Sequence, residues 1–336
     1  MLNVKYCLLI LALVAAPAFA RGAGAPGVAG TSGIAGMPSG SGVNGRAGPR
    51  SRAAADRFRA WKAAAVQALI ARGDPVSLAT AAGLSFPGSS ALSLAARAGE
   101  LAPQNAAIGW LRLQLCVDTP GCDIRDVATV MRWVDADNGA VWLPTLAVAQ
   151  RGKDATEIDR VLADMAHGSR FDLYWSRIVV LMFDALSRVH KDLPGGYLAS
   201  DSSRLAVLYG VAGAEVIPPF GPLLETCRGP AGTLRRDVCI KLSKTMQRGD
   251  TVIAQMVGFS IERRLLAPDS RESRAIAERR RLLEWRMAAA AQFDTPLLPW
   301  LKNARARARL KQMRANPREE DVGIAILREH RMPIQP

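Results

Sequence analysis

From Arg52 onward, apolar side chains recur three and four positions apart. In RAAADRFRAWKAAAVQALIARGD, Phe58, Trp61, Ala65 and Leu69 fall on one stripe, the spacing that gathers side chains on one face of an α-helix. Gly73 then reads as the residue that ends this helix and Asp74 as the N-cap of the next. The same punctuation returns at Gly152-Lys153-Asp154 and at Gly249-Asp250. Helices are expected over residues 234–247 and 250–266, forming a hairpin. No segment shows a sustained alternating strand pattern with hairpin signals, so the expected fold class is all-α.

The helical pattern repeats. Trp110, Trp142 and Trp175 lie 32 and 33 residues apart, and the first two sit in matching contexts, LAPQNAAIGWL and VDADNGAVWLP. Each reads as a loop, an asparagine N-cap and a helix with an early tryptophan. Two helices fit between successive tryptophans, joined at CVDTPGC in the first unit and at QRGKDA in the second. A helix-turn-helix unit of this length is one repeat of an α-solenoid. With Leu113 three residues after Trp110, Ala128 in a second helix and Gly152 at an inter-helix turn, residues 101–190 resemble degenerate tetratricopeptide repeats. Gln114 and Leu146 replace the family's usual glycine. The resemblance implies stacked helical hairpins that offer a surface to another protein. Core packing accounts for the three tryptophans, and none is assigned a ligand.

The residues before the helical body change where it is expected to work. MLNVKYCLLILALVAAPAFA carries a cation at Lys5, a short apolar run and small residues up to Ala20, the layout of a cleaved secretory signal. The run stops at Pro17, well short of the roughly 20 residues a spanning helix needs. The other long apolar stretch, LAVLYGVAGAEVIPPFGPLL, is interrupted by Glu215, Pro218, Pro219 and Pro222. No transmembrane segment is therefore expected in the mature chain, and its location is expected to be periplasmic or secreted. Residues 21–50 are rich in glycine, alanine and serine. Their third-position glycines fail at Ser39, and with so little proline they read as a disordered tether rather than collagen. Residues 51–190 are expected to form the repeats. Residues 191–336, after the loop KDLPGGYLASDSS, are expected to form a C-terminal helical domain with arginine-rich helices.

Export makes the cysteines interpretable. Cys116 and Cys122 bracket one turn, Cys227 and Cys239 another, and an even count in an oxidising compartment points to disulfides. Two local bridges are expected, although four cysteines allow three pairings. Neither spacing suits the knuckles of a four-cysteine zinc site.

Charge widens the list of partners. The chain has 44 lysines and arginines and a net charge of +14, which favours anionic surfaces. In WLKNARARARLKQMR, Lys302, Arg305, Arg307, Arg309, Lys311 and Arg314 flank a stripe of Leu301, Ala304 and Ala308, a pattern suited to anion binding. Nucleic acid is not expected as a partner. The isolated His167, His190 and His330 lack metal-ligand spacing, and no nucleophile elbow, phosphate loop or dinucleotide motif occurs. DADNG at residues 135–139 lacks the glutamate a calcium loop requires, so Asp137 and Asn138 read as a helix N-terminus. The RGD triplets at Arg72 and Arg248 are read as helix turns, and Glu319-Glu320-Asp321 as the acidic start of the last helix. No catalytic residue, cofactor or metal is assigned. The expected function is protein–protein interaction in the periplasm or cell envelope. The alternatives are a binder of anionic envelope polymer or glycolipid, and a cell-wall-active enzyme without a recognisable motif.

Overall fold

The computed structural model describes residues 49–193, 198, 200–215, 217–228, 233–293 and 303–336. The expected export segment, and the tether up to residue 48, lie outside the described residues. The chain divides into two compact units, Met1–Ala55 and Asp56–Pro336. The described part of the first is the opening of helix α1.

The protein is all-α. Its described helices are α1 (Pro49–Arg72), α2 (Pro75–Ser85), α3 (Ala91–Leu101), α4 (Ala106–Val117), α5 (Ile124–Val134), α6 (Leu143–Arg151), α7 (Ala155–His167), α8 (Trp175–Val189), α9 (Asp201–Glu215), α10 (Gly221–Thr226), α11 (Thr233–Met246), α12 (Val252–Leu265), α13 (Arg271–Ala291), α14 (Asn303–Ala315) and α15 (Glu319–Glu329). Short 3-10 turns, Gly139–Trp142 and His190–Asp192, precede α6 and follow α8. Among the described residues no strand forms, and a single parallel bridge joins Asn138 to Arg170.

The stripe of α1 turns inward as its spacing demands, with Trp61, Ala65 and Leu69 buried and Phe58 packed beside them. Side-chain caps stand at most of the expected helix starts. Asp74 accepts from the Ser77 amide at 3.0 Å, Asn105 from Ile108 at 3.3 Å and Asp154 from Glu157 at 3.0 Å. At residues 152–154 the left-handed residue is Lys153, at φ 52°, rather than Gly152. Asp250 departs from expectation. Thr251 caps α12 through the Ala254 amide, leaving the Asp250 side chain for a different task.

The two hairpins of the tryptophan repeat are present. α4 packs on α5, α6 on α7, and α5 on α6. Trp110 is buried, whereas Trp142 lies under the guanidinium of Arg132, 4.4 Å from its ring centre. Trp175 begins α8, which meets α2, α4, α9 and α14. A solenoid repeat touches only its sequence neighbours; α8 lies instead at the centre of the body. Nine of its residues, from Trp175 to Val189, are buried. Burial of side chains such as Ile178, Val179, Met182, Phe183 and Leu186 stabilises by ~1.5–3 kcal/mol each. Helices on both sides of His190 share one apolar core, since α7 packs on α11 and α8 on α14.

α14 is rotated relative to the stripe expected of it. Leu301 lies outside the described residues, Ala304 is exposed and Ala308 is half-buried. Ala306, Arg309, Leu310 and Met313 face the interior instead. Each extra buried methylene contributes ~0.8 kcal/mol, so Leu310 and Met313 outweigh the two alanines. Arg309 tolerates the interior because its Nε donates to the Tyr209 hydroxyl at 2.8 Å.

Disulfides join Cys116 to Cys122 and Cys227 to Cys239. The first closes the turn between α4 and α5, the second the connection between α10 and α11. Replacing either pair by serine is expected to lower the unfolding free energy by ~2–3 kcal/mol, measured by urea denaturation of the oxidised protein. A double variant as stable as the parent would contradict this.

Candidate functional site

The segment from Gly168 to Tyr174, GSRFDLY, has the alternation of a short strand, and it inserts between distant parts of the chain. Phe171 and Leu173 point into the core, where Phe171 packs on Phe220 at 6.4 Å. Arg170, Asp172 and Tyr174 face a polar junction. Its first wall is residues 135–139. The backbones approach so closely there that a Cβ on Gly168 would stand 2.7 Å from the Gly139 nitrogen, so only glycine fits. Arg170 carbonyl accepts from the Gly139 amide at 3.0 Å, and Arg170 donates its own amide to Asp137 at 3.2 Å.

Asn138 is fully buried, and both ends of its amide are used. Its Oδ1 accepts from the Ala140 and Asp172 amides at 3.1 and 2.9 Å. Its Nδ2 donates to Asp135 Oδ2 at 2.8 Å and to the Asp172 carbonyl at 2.9 Å. The expected helix cap is therefore correct, and it serves a larger network. Buried Asp135 also accepts from the Arg170 guanidinium and from the Tyr174 hydroxyl. Arg170 donates further to Asp172 Oδ2 at 2.7 Å and to Tyr174 at 3.1 Å. Desolvation pulls the Arg170 guanidinium down, but its bonds to Tyr174 and Asp172 outweigh that and raise it. Burial pushes the Tyr174 phenol up, against the opposing pull of Arg170.

The second wall is the loop after α11. Buried Asp250 accepts from the amides of Leu173 and Tyr174, both at 2.7 Å, just before the first turn of α8. The carboxyl group satisfies two backbone donors at the helix entry that would otherwise be buried without a partner. Gly249 permits the contact, since a Cβ would stand 2.7 Å from the Phe171 carbonyl oxygen. Desolvation, with Asp172 and Glu319 nearby, pushes the Asp250 carboxyl up to about 8 against the two amides. Glu319 adds a further tie. Its amide donates to the Asp250 carbonyl at 2.8 Å, and its Oε2 accepts from the Val252 amide at 2.7 Å at the start of α12. Desolvation raises the Glu319 carboxyl too, with Arg309 opposing.

This junction orients the exposed side of α8. Residues 175, 176, 178, 179, 182, 183, 185, 186 and 189 face the core, and Arg177, Val180, Leu181, Asp184 and Arg188 line an open groove. Val76 of α2, with Met313 and Arg314 of α14 and Pro317 after it, completes the lining. The cavity measures about 470 Å³, within the ~300–1,000 Å³ range of ligand sites. Arg314 pairs with Asp184 across it, and Arg188 reaches Asp74 at 3.4 Å. Arg177 stands over the Tyr174 ring at 5.4 Å. A second cavity, beside Gln114 and Pro144, holds only about 10 Å³, room for a single water at most.

Of the six basic residues marked for anion binding, the structure keeps no single free face. Lys302 lies outside the described residues, and Arg309 is interior. Arg307 lies 3.7 Å from Asp201, Arg314 joins Asp184, and Arg305 and Lys311 are exposed. Cys116, Cys122, Cys227 and Cys239 are all bridged. Both RGD aspartates are engaged, Asp74 as a cap and Asp250 at the junction. The groove escaped sequence reading because its residues come from α2, α8 and α14. The one available signal was the polar spacing of Arg177, Asp184 and Arg188 within an otherwise apolar helix.

The chain matches no family model, no curated protein and no solved structure.

Asn138→Ala is expected to cost at least ~3 kcal/mol, because several buried amides and a carboxylate lose their partner together. The pH dependence has a definite sign. Unfolded, Asp250 titrates near its ordinary value of about 3.9; folded, near 8. The folded state therefore holds the proton more tightly, and this stabilisation, complete below about pH 4, is lost as the pH rises towards 8. Urea midpoints are expected to fall between pH 5 and pH 8. In Asp250→Asn the midpoint is expected to be lower at pH 5, because one amide then meets an NH2 donor, and its slope with pH flatter.

Proposed function

We propose that the protein is an exported helical binding protein that acts in the periplasm or cell envelope by holding another protein. The observation that carries this reading is on α5, the outer helix of the first hairpin. Trp133 is 76% exposed, and Val130, one turn before it, is 52% exposed. Val127, Ala128 and Met131 already supply the inward face, so the core does not require the other two. A solvent-exposed indole beside an exposed valine leaves apolar area in water that a partner would cover, and tryptophan is the residue type most enriched among binding hot spots.

Two disulfides support the compartment, since such bonds persist in oxidising surroundings. No described helix is long and apolar enough to cross a membrane. Hairpin stacking of α4 to α7 supports the tetratricopeptide-like reading of the surface, in which α5 belongs to the second, outward helix of a unit.

A photo-crosslinking residue at position 133, expressed in the native envelope, is expected to capture one discrete partner. The same residue at exposed Arg271 on α13 is expected to capture none. Trp133→Asp is expected to weaken binding of the captured partner about 30-fold or more, the scale of a ~2 kcal/mol hot spot. If the partner is recovered equally from positions 133 and 271, or binds Trp133→Asp unchanged, the reading fails.

A further inference from the structure

We infer that the groove along α8 is a second binding site, for a short extended segment of a partner chain in which apolar side chains are flanked by carboxylates. The site is separate from Trp133, since α2, α8 and α14 line it and α5 does not.

The groove has an apolar floor and cationic ends. Val180, Leu181 and Met313 provide the floor, with Val76 and Pro317 at its edges. Arg177 stands at the start of α8 and Arg188 near its end, eleven residues on, which is about 16 Å along a helix. An extended chain rises about 3.3 Å per residue, so roughly five residues span the two arginines. Every second side chain of such a segment faces the floor, and those between face out.

Charge selects the occupant. The three arginines of the lining outnumber its one carboxylate, Asp184. Asp184 is already paired with Arg314, and Arg188 has a long contact with Asp74. Among the described residues Arg177 has no ion pair; its guanidinium rests on Tyr174, whose hydroxyl is fixed by Asp135 and Arg170. The cation at the head of the groove is thus positioned by the buried junction and left open to an incoming anion. A second copy of this chain, at +14, is a poor electrostatic match. A single-headed lipid would place its one anion at one end and leave the arginine at the other end unmatched. It would also leave much of its acyl chain in water, because the trough is open along its length. A peptide with carboxylates at both ends satisfies both arginines.

The test uses the purified full chain and a fluorescein-labelled pentapeptide, Glu-Leu-Val-Leu-Glu, read by anisotropy, with Lys-Leu-Val-Leu-Lys as the control. Saturable binding of the acidic probe is expected, weakened at least tenfold by Arg177→Glu, with no effect from Arg271→Glu at an exposed position on α13. Arg177 makes no described ion pair, so the charge reversal is expected to lower the thermal melt only slightly, through loss of its exposed contact with the Tyr174 ring. Arg188→Gln, a milder change, is expected to weaken the probe severalfold. Equal binding of the basic peptide, an equal loss in Arg271→Glu, or full displacement by decanoate without any charge-reversal effect would each overturn the assignment. Crosslinking at position 133 is expected to persist in Arg177→Glu, so failure of this site and failure of the α5 surface are distinguishable.

Discussion

The carboxylate of Asp250, held by the amides of Leu173 and Tyr174, is the contact on which the arrangement of the body depends. It joins the end of the second hairpin to the loop between α11 and α12, nearly eighty residues away, through two backbone donors at the entry to α8. Glu319 repeats the device at the start of α12. Two helices thus begin on acids borrowed from remote segments. Each acid is desolvated by the packing that makes its contact possible, and each has its carboxyl raised as a result.

The same junction gives α8 its two faces. Tyr174, in a left-handed conformation at φ 59°, ends the polar segment and starts the helix. Its hydroxyl belongs to the buried network of Asp135 and Arg170, and its ring carries Arg177. A buried hydrogen-bond network is rigid when every member is satisfied, and Asn138, with both ends of its amide engaged, completes it. The inward face of α8 holds the core and its outward face floors the groove, so the core and the groove share one helix.

The α5 surface and the α8 groove differ in kind. Trp133 offers one large aromatic side chain on a convex helix. The groove offers length, an apolar floor and fixed cations. A protein with both could hold one partner by two contacts, which raises the effective concentration at the second site.

Local signals were legible in the chain itself. The stripe of Phe58, Trp61, Ala65 and Leu69, the caps Asp74, Asn105 and Asp154, and the helices on either side of residue 250 all follow from neighbours within four residues. Hydrogen bonds and side-chain spacing over one helical turn need no distant partner. The pairing of Cys116 with Cys122 and of Cys227 with Cys239 was favoured by the short loops. Tertiary structure decided the rest. Whether Arg309 faces water or the Tyr209 hydroxyl, whether Asp250 caps its own helix or the amides of Leu173 and Tyr174, and which side of α8 is left for a groove depend on segments far apart in sequence. Desolvation and charge pairing act through space, and the sequence pattern carries no record of those distances.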